Sequence, residues 1–417
     1  MKFDNELKRL LLSLIAASIL LVPGTAAAAL PLPATTTVES VVDDHPGDRN
    51  AALRAALEAV VDAGATGVIA LVDDGHDQTR LAVGSARIEP RQRLQVRDQV
   101  RVGSITKTVI ATIALQLVGE GRLRLDDTVE RWLPGTVSNG SAITLQMLLN
   151  HTSGIFNYTD DEAFIPSILA DPYRQWTPQE LIDVAAAHPP VFAPGQGWSY
   201  SNTGYILAGL ILQRATGQPV EDLVQERIVK PLHLRDTFFA TSARFRGRYA
   251  HGYAPPSFTG AGYEDLSPWP PSWAWAAGSL VSNAPDLARF YHALLSGRLL
   301  SQSLLVTMTT TVDVGPGFAY GLGIYTVDTP CGSVWGHDGG IPGYVSYALN
   351  TRDGSRSTIL LLPTQPDEAI NTAIGQALLT AVCQMFDQAV PVAAASGAAA
   401  TSGPTLASTL RSAALVP

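Results

Sequence analysis

The chain has 417 residues, of which 46% are apolar and 16% charged, a composition that excludes a disordered protein. Its formal net charge of −9, with no basic run and no interleaving of basic and aromatic residues, argues against a nucleic-acid binder.

Lys2, Lys8 and Arg9 precede an apolar stretch from Leu10 to Val22, which has signal-peptide length and is short for a membrane span. Pro23-Gly24 then breaks the helix, and Ala26 to Ala29 offers an A-x-A cleavage site, after Ala28 or Ala29. Residues 1–29 are therefore expected to be a signal peptide, and the protein to be exported, secreted or periplasmic. An uncleaved N-terminal anchor is the competing reading. The two cysteines, Cys331 and Cys383, are expected to form a disulfide if the chain is exported, with two buried thiols as the alternative.

Periodicity predicts a helix over Arg49–Ala63 and strands over Gly67–Asp73 and Thr79–Arg87, separated by the turn Asp74-Gly75-His76-Asp77. The middle reads as helical: Thr106–Val118, Leu145–Asn150, Pro178–Ala187, Gly204–Ala215, Val220–Val229 and Ala284–Ser296. Strands return at Ala319–Val327, Ser333–Trp335, Tyr344–Asn350 and Ser357–Leu362, and Ala369–Phe386 is a closing helix. Strands at both ends with helices between imply an α/β fold in which one sheet is assembled from distant segments, with a helical part (about residues 105–300) inserted. The folded domain is expected over 30–388, and the Ala, Ser, Thr, Gly and Pro of 389–417 as a flexible tail.

Three short motifs carry chemistry. In Arg101-Val-Gly-Ser-Ile-Thr-Lys107, Ser104 and Lys107 are three apart on a helix and share a face. A serine needs a neighbouring base to become a nucleophile, and a lysine serves when burial lowers its pKa. The chain has four lysines (Lys2, Lys8, Lys107 and Lys230) among 28 basic residues. A plain cation here is usually arginine, which cannot deprotonate, so a lysine beside the serine is informative. In Trp198-Ser-Tyr-Ser-Asn-Thr203, Tyr200 could relay protons and Asn202 could hold the lysine and a substrate carbonyl; the plainer reading is a helix N-cap. Trp335-Gly-His-Asp-Gly-Gly340 is placed directly after a strand, where bare glycines let a substrate lie along the edge.

Ser104-x-x-Lys107, Tyr200-Ser-Asn202 and His337-Asp-Gly339, in this order, resemble the three motifs of the serine β-lactamase and penicillin-binding-protein superfamily. The variant resembles its class C β-lactamase and D-alanyl-D-alanine carboxypeptidase branch. Gly121-Arg-Leu-Arg-Leu-Asp-Asp127, Leu148-Leu-Asn-His-Thr-Ser-Gly154, Ala276-Ala-Gly-Ser-Leu280 and Pro342-Gly-Tyr344 match as well, so that the likeness spans roughly Arg49 to Phe386. The resemblance implies a β-lactamase-like antiparallel sheet flanked by helices, with Ser104 attacking a carbonyl, Lys107 and Tyr200 sharing proton transfer, and Asn202 orienting. It implies an oxyanion hole from the N–H groups of Ser104 and Gly340, and Gly339 among the residues that bind and orient the substrate. His337 would replace the usual third-motif lysine, positioning Tyr200 and the polar end of the substrate. No cofactor or metal is implied. The expected partner is a small-molecule or D-peptide substrate, in the first instance a peptidoglycan stem peptide, bound by a monomer.

The first substrate expectation is therefore a D-alanyl-D-alanine carboxypeptidase, with a carboxylesterase or β-lactamase next and a non-catalytic penicillin- or peptidoglycan-binding protein from a different class. Two departures weigh on it. Asp338 would repel a substrate carboxylate if it faced the cleft, and Tyr320 to Cys331 contains no Arg or Lys to pair with one. Neutral esters or D-amino-acid amides are then expected to be turned over at least as well as free-acid peptides. Protonation of His337 is expected to raise carboxypeptidase activity below about pH 6.5.

Overall fold

The computed structural model describes residues 41–42 and 49–391. The proposed signal segment and the tail from 392 onward lie outside the described residues.

Among the described residues, nine strands follow one another in a ten-stranded antiparallel sheet: β1 (Val41–Val42), β2 (Gly67–Asp73), β3 (Gln78–Arg87), β4 (Val312–Gly315), β5 (Phe318–Tyr320), β6 (Tyr325–Thr329), β7 (Gly332–Ile341), β8 (Tyr344–Asn350) and β9 (Ser357–Leu362). Their order is β1-β3-β2-β9-β8-β7-β6-β5-β4, with the two-residue strand Gln92–Arg93 paired to β3, so N- and C-terminal strands meet where β2 pairs with β9. Strands β2 and β9 are apolar and buried on both faces. Their alternate residues serve two cores. Val68, Ala70 and Val72 pack with helices α1 (Arg49–Asp62) and α4 (Glu368–Met385), while Ile69 and Leu71 face the inserted helices. The inserted part contains α2 (Ile105–Gly119) and α3 (Asn202–Thr216), and α2 is buried from Ile105 through Leu115.

The structure departs from the expected elements in three places. The single strand expected over Ala319–Val327 is the hairpin β5–β6, because Gly321 and Gly323 interrupt the alternation and Gly321 N–H closes onto the Ile324 carbonyl at 2.7 Å. Strand β7 extends well past Trp335, so the His337-Asp-Gly-Gly segment lies within a strand. Glycine weakens the local strand signal, yet each of these residues pairs with β8. Val220–Val229 is α-helical only to Val224 and then a π-helix. A small sheet without a clear sequence signal joins Val100–Arg101, Leu280–Ser282 and Phe238–Phe239. It ties the approach to α2 to the Ala276–Leu280 segment.

Cys331 and Cys383 are bonded, with Cα atoms 5.2 Å apart, linking the β6–β7 turn to α4. Closing a loop of this length contributes about 4 kcal/mol in the chain-entropy view. Cys331 lies beyond the opposite end of β7 from Gly340, about 30 Å along an extended strand. Replacing both cysteines by alanine should therefore lower the unfolding free energy read from denaturant titration, by an amount approaching that figure, and leave kcat unchanged. A matching loss of kcat in the folded variant would contradict the separation.

Candidate active site

Helix α2 starts immediately after Ser104, which occupies the N-cap position without capping through its side chain. The hydroxyl is thus free to turn to Lys107 one helical turn on, at 2.8 Å. Lys107 is wholly buried, and its Nζ also contacts Asn202 Oδ1 at 2.8 Å and the Ala277 carbonyl at 2.9 Å. Two of these partners accept only, and the third is a hydroxyl that can donate. That set matches a neutral amine, which has two N–H bonds and one lone pair. Burial acts the same way and holds the Lys107 pKa well below that of an ordinary lysine, against a smaller opposing pull from Asp338.

Tyr200 donates its hydroxyl to Ser104 Oγ at 2.8 Å. Burial raises its pKa well above that of a free phenol, so it rests protonated. The expected alternation of Tyr200 and Asn202 holds in space: one reaches the serine and the other the lysine. The competing cap role is not taken up, because Ser201 makes no side-chain cap and Asn157 Oδ1 accepts the Asn202 N–H at 3.0 Å. Asn202 Nδ2 in turn donates to Thr159 at 3.1 Å, which fixes which end of the amide meets Lys107.

Strand β6 pairs only with Gly332–Gly336 of β7, and His337–Ile341 have β8 on one side and no β6 partner on the other. The glycines press this edge against Ser104. A Cβ on Gly339 would lie 2.0 Å from the Val102 carbonyl oxygen and 2.7 Å from Ser104 N, and one on Gly103 would lie 2.8 Å from Gly340 N. Gly103 also has φ +49°. The Ser104 and Gly340 backbones are thereby brought together, and the Ser104 N–H has no acceptor among the described residues. An oxyanion would supply one.

His337 is placed differently from the sequence expectation. It is buried and bonds Tyr320 Oη at 2.8 Å through Nε2 and the Asp338 carbonyl at 2.6 Å through Nδ1. It makes no hydrogen bond to Tyr200 among the described residues. Burial above all pushes its pKa down to about 3. It is therefore a neutral prop for Tyr320, and the acid-activated role expected below pH 6.5 has no physical basis. Asp338 is buried too. Its charge acts inward, on Lys107 and on the phenols of Tyr200, Tyr320 and Tyr325.

The family model described as Beta-lactamase matches residues 53–381. The chain belongs to the Beta-lactamase family. Its described fold, a large antiparallel sheet with helices, agrees with that of solved relatives, and members of this family are serine hydrolases. A D-stereospecific amidohydrolase from Streptomyces sp. is 43% identical with a TM-score of 0.71, covering 78% of this chain and 98% of that one. The D-amino acid amidase from Ochrobactrum anthropi SV3 is 30% identical, also with a TM-score of 0.71, covering 80% and 98%. Penicillin-binding protein 4* of Bacillus subtilis (strain 168) is 26% identical over 326 residues, 74% of this chain and 70% of that protein. The Beta-lactamase-family site of this chain also uses residues with no legible motif role. The Ala277 carbonyl, Asn157 and Thr159 act through backbone or second contacts. A carbonyl has no side-chain signature, and Asn157 and Thr159, just before and within the short 3₁₀ helix Tyr158–Asp160, lie in no spaced pattern.

Proposed function

We propose that the chain is an exported serine amidohydrolase that cleaves neutral amides and esters of D-amino acids. The observation that carries the reading is the missing cation on the β7 side of the site. No Lys or Arg occurs between Arg298 and Arg352, a segment that includes β4 to β8, and its single histidine is the buried, neutral His337. A substrate carboxylate there would lack a partner, whereas an amide or ester would not need one. Likeness to the Streptomyces amidohydrolase supports the D-amide class over a free-acid peptide.

In this reading Ser104 Oγ attacks the carbonyl carbon as its proton passes to Lys107 Nζ. The oxyanion forms against the N–H groups of Ser104 and Gly340. Tyr200 gives its proton to the leaving nitrogen as the C–N bond breaks, and Lys107 restores it. Water then attacks the ester carbonyl as Lys107 takes its proton, and the bond to Ser104 Oγ breaks as a proton returns to that oxygen from Tyr200, which Lys107 restores, releasing the D-amino acid.

The test compares kcat/KM at pH 7 for an acetylated D-Ala-D-Ala peptide with a free C-terminal carboxylate and for its C-terminal amide. The amide should be preferred by roughly tenfold or more, corresponding to about 1.4 kcal/mol for the unpaired acid. The free-acid rate should not rise between pH 7 and pH 5, since His337 stays neutral there. A preference for the free acid would overturn the reading and restore a carboxypeptidase.

A further inference from the structure

Tyr200 lies outside any helix or strand, yet its hydroxyl sits 2.8 Å from Ser104. Both residues flanking it are held by one side chain and its backbone. The Ser199 N–H donates to the His151 carbonyl at 3.0 Å, and the Ser201 N–H donates to His151 Nδ1 at 3.1 Å. The His151 ring lies 4.4 Å from the Tyr200 ring, centroid to centroid, and 4.7 Å from that of Tyr320, which His337 anchors from its far end.

His151 occupies this place against local preference. Its φ is +64°, in the left-handed region, and it is 1% exposed. Because Nδ1 accepts, the proton is on Nε2, a buried nitrogen with no hydrogen-bond partner among the described residues. An apolar ring would spare that unsatisfied donor but would leave the Ser201 N–H without its acceptor. The acceptor at Nδ1 is the feature the arrangement preserves.

We infer that His151 is the positioning residue for Tyr200: it brackets the loop at residues 199 and 201 and supports the phenol ring, so that the hydroxyl meets Ser104 without a search. It touches neither the nucleophile nor the substrate and acts only through Tyr200. The inference concerns the proton-transfer group of the site, whichever neutral substrate is cleaved.

The experiment measures, by quenched-flow mass spectrometry, the rate of Ser104 acylation by an alkyl ester of an achiral acid, whose alkoxide takes its proton from Tyr200 as it leaves, so its outcome is independent of the D-amide reading. His151→Gly keeps the left-handed backbone and removes the ring, His151→Leu fills the space without an acceptor, and His151→Asn restores an oxygen where Nδ1 stood and tolerates positive φ. Circular dichroism and thermal melting select the variants that fold. Folded Gly or Leu variants should lose acylation about 10²-fold with substrate affinity within about threefold of wild type, and the Asn variant should recover most of that loss. In a Tyr200→Phe background the same substitutions should add less than about threefold. Wild-type acylation in a folded variant without an acceptor, no recovery in a folded Asn variant, or losses that multiply with Tyr200→Phe would each overturn the inference. If neither Gly nor Leu folds, the Asn variant decides it alone, in wild-type and Tyr200→Phe backgrounds, by the same recovery and coupling criteria.

Discussion

Ser104→Ala is expected to abolish covalent labelling by a fluorophosphonate or a penicillin and to lower kcat by on the order of 10⁶-fold, as loss of a serine nucleophile does elsewhere. Only one oxygen is removed. Lys107 keeps its bonds to Asn202 Oδ1 and the Ala277 carbonyl, and Tyr200 remains packed against His151. The fold should therefore survive, with a melting temperature close to wild type. Intact-mass spectrometry after incubation with the probe reads the outcome directly. An adduct on the alanine variant would place the nucleophile elsewhere and remove the basis of the proposed mechanism.

Lys107→Arg should be damaging although it conserves charge, because a guanidinium has no proton to give up at any accessible pH and so cannot serve as base. Arginine is also bulkier in a wholly buried position, so Lys107→Met supplies a folded control: it matches the length of the neutral side chain and lacks a basic lone pair. Both variants should lose acylation by about 10²- to 10⁴-fold, the usual contribution of a general base. The sign of the pH dependence follows from the same group. Lys107 acts only when unprotonated, and burial lowers its pKa. Wild-type kcat/KM should hold as pH falls from the alkaline side and drop only on passing through that lowered pKa. The Met variant should lack this acid limb. A Met variant retaining more than about a tenth of wild-type activity would show that Tyr200 alone suffices as base.

How much of this was legible in the sequence depended on whether partners were close along the chain. Ser104 and Lys107 are three apart on a helix that is apolar nearly all round, so their contact and the lowered pKa of the lysine both follow from spacing and composition. The order of the three motifs, and the sheet built from both ends of the chain, were likewise determined by the sequence. Tertiary structure alone decided what those motifs touch. The Ala277 carbonyl reaches Lys107 because a small sheet of three short strands draws distant segments together, and such strands are too brief to show a period. The extent of β7 was hidden because glycine resists strand formation locally, and pairing with β8 overrides it. His337 was expected at the substrate and instead props Tyr320, while His151, one member of a matched stretch, holds the loop of Tyr200. Sequence determined which chemical groups this protein possesses. Burial and direction, which set whether a histidine is a charge, a prop or a clamp, arise only when the sheet and the helices close on one another.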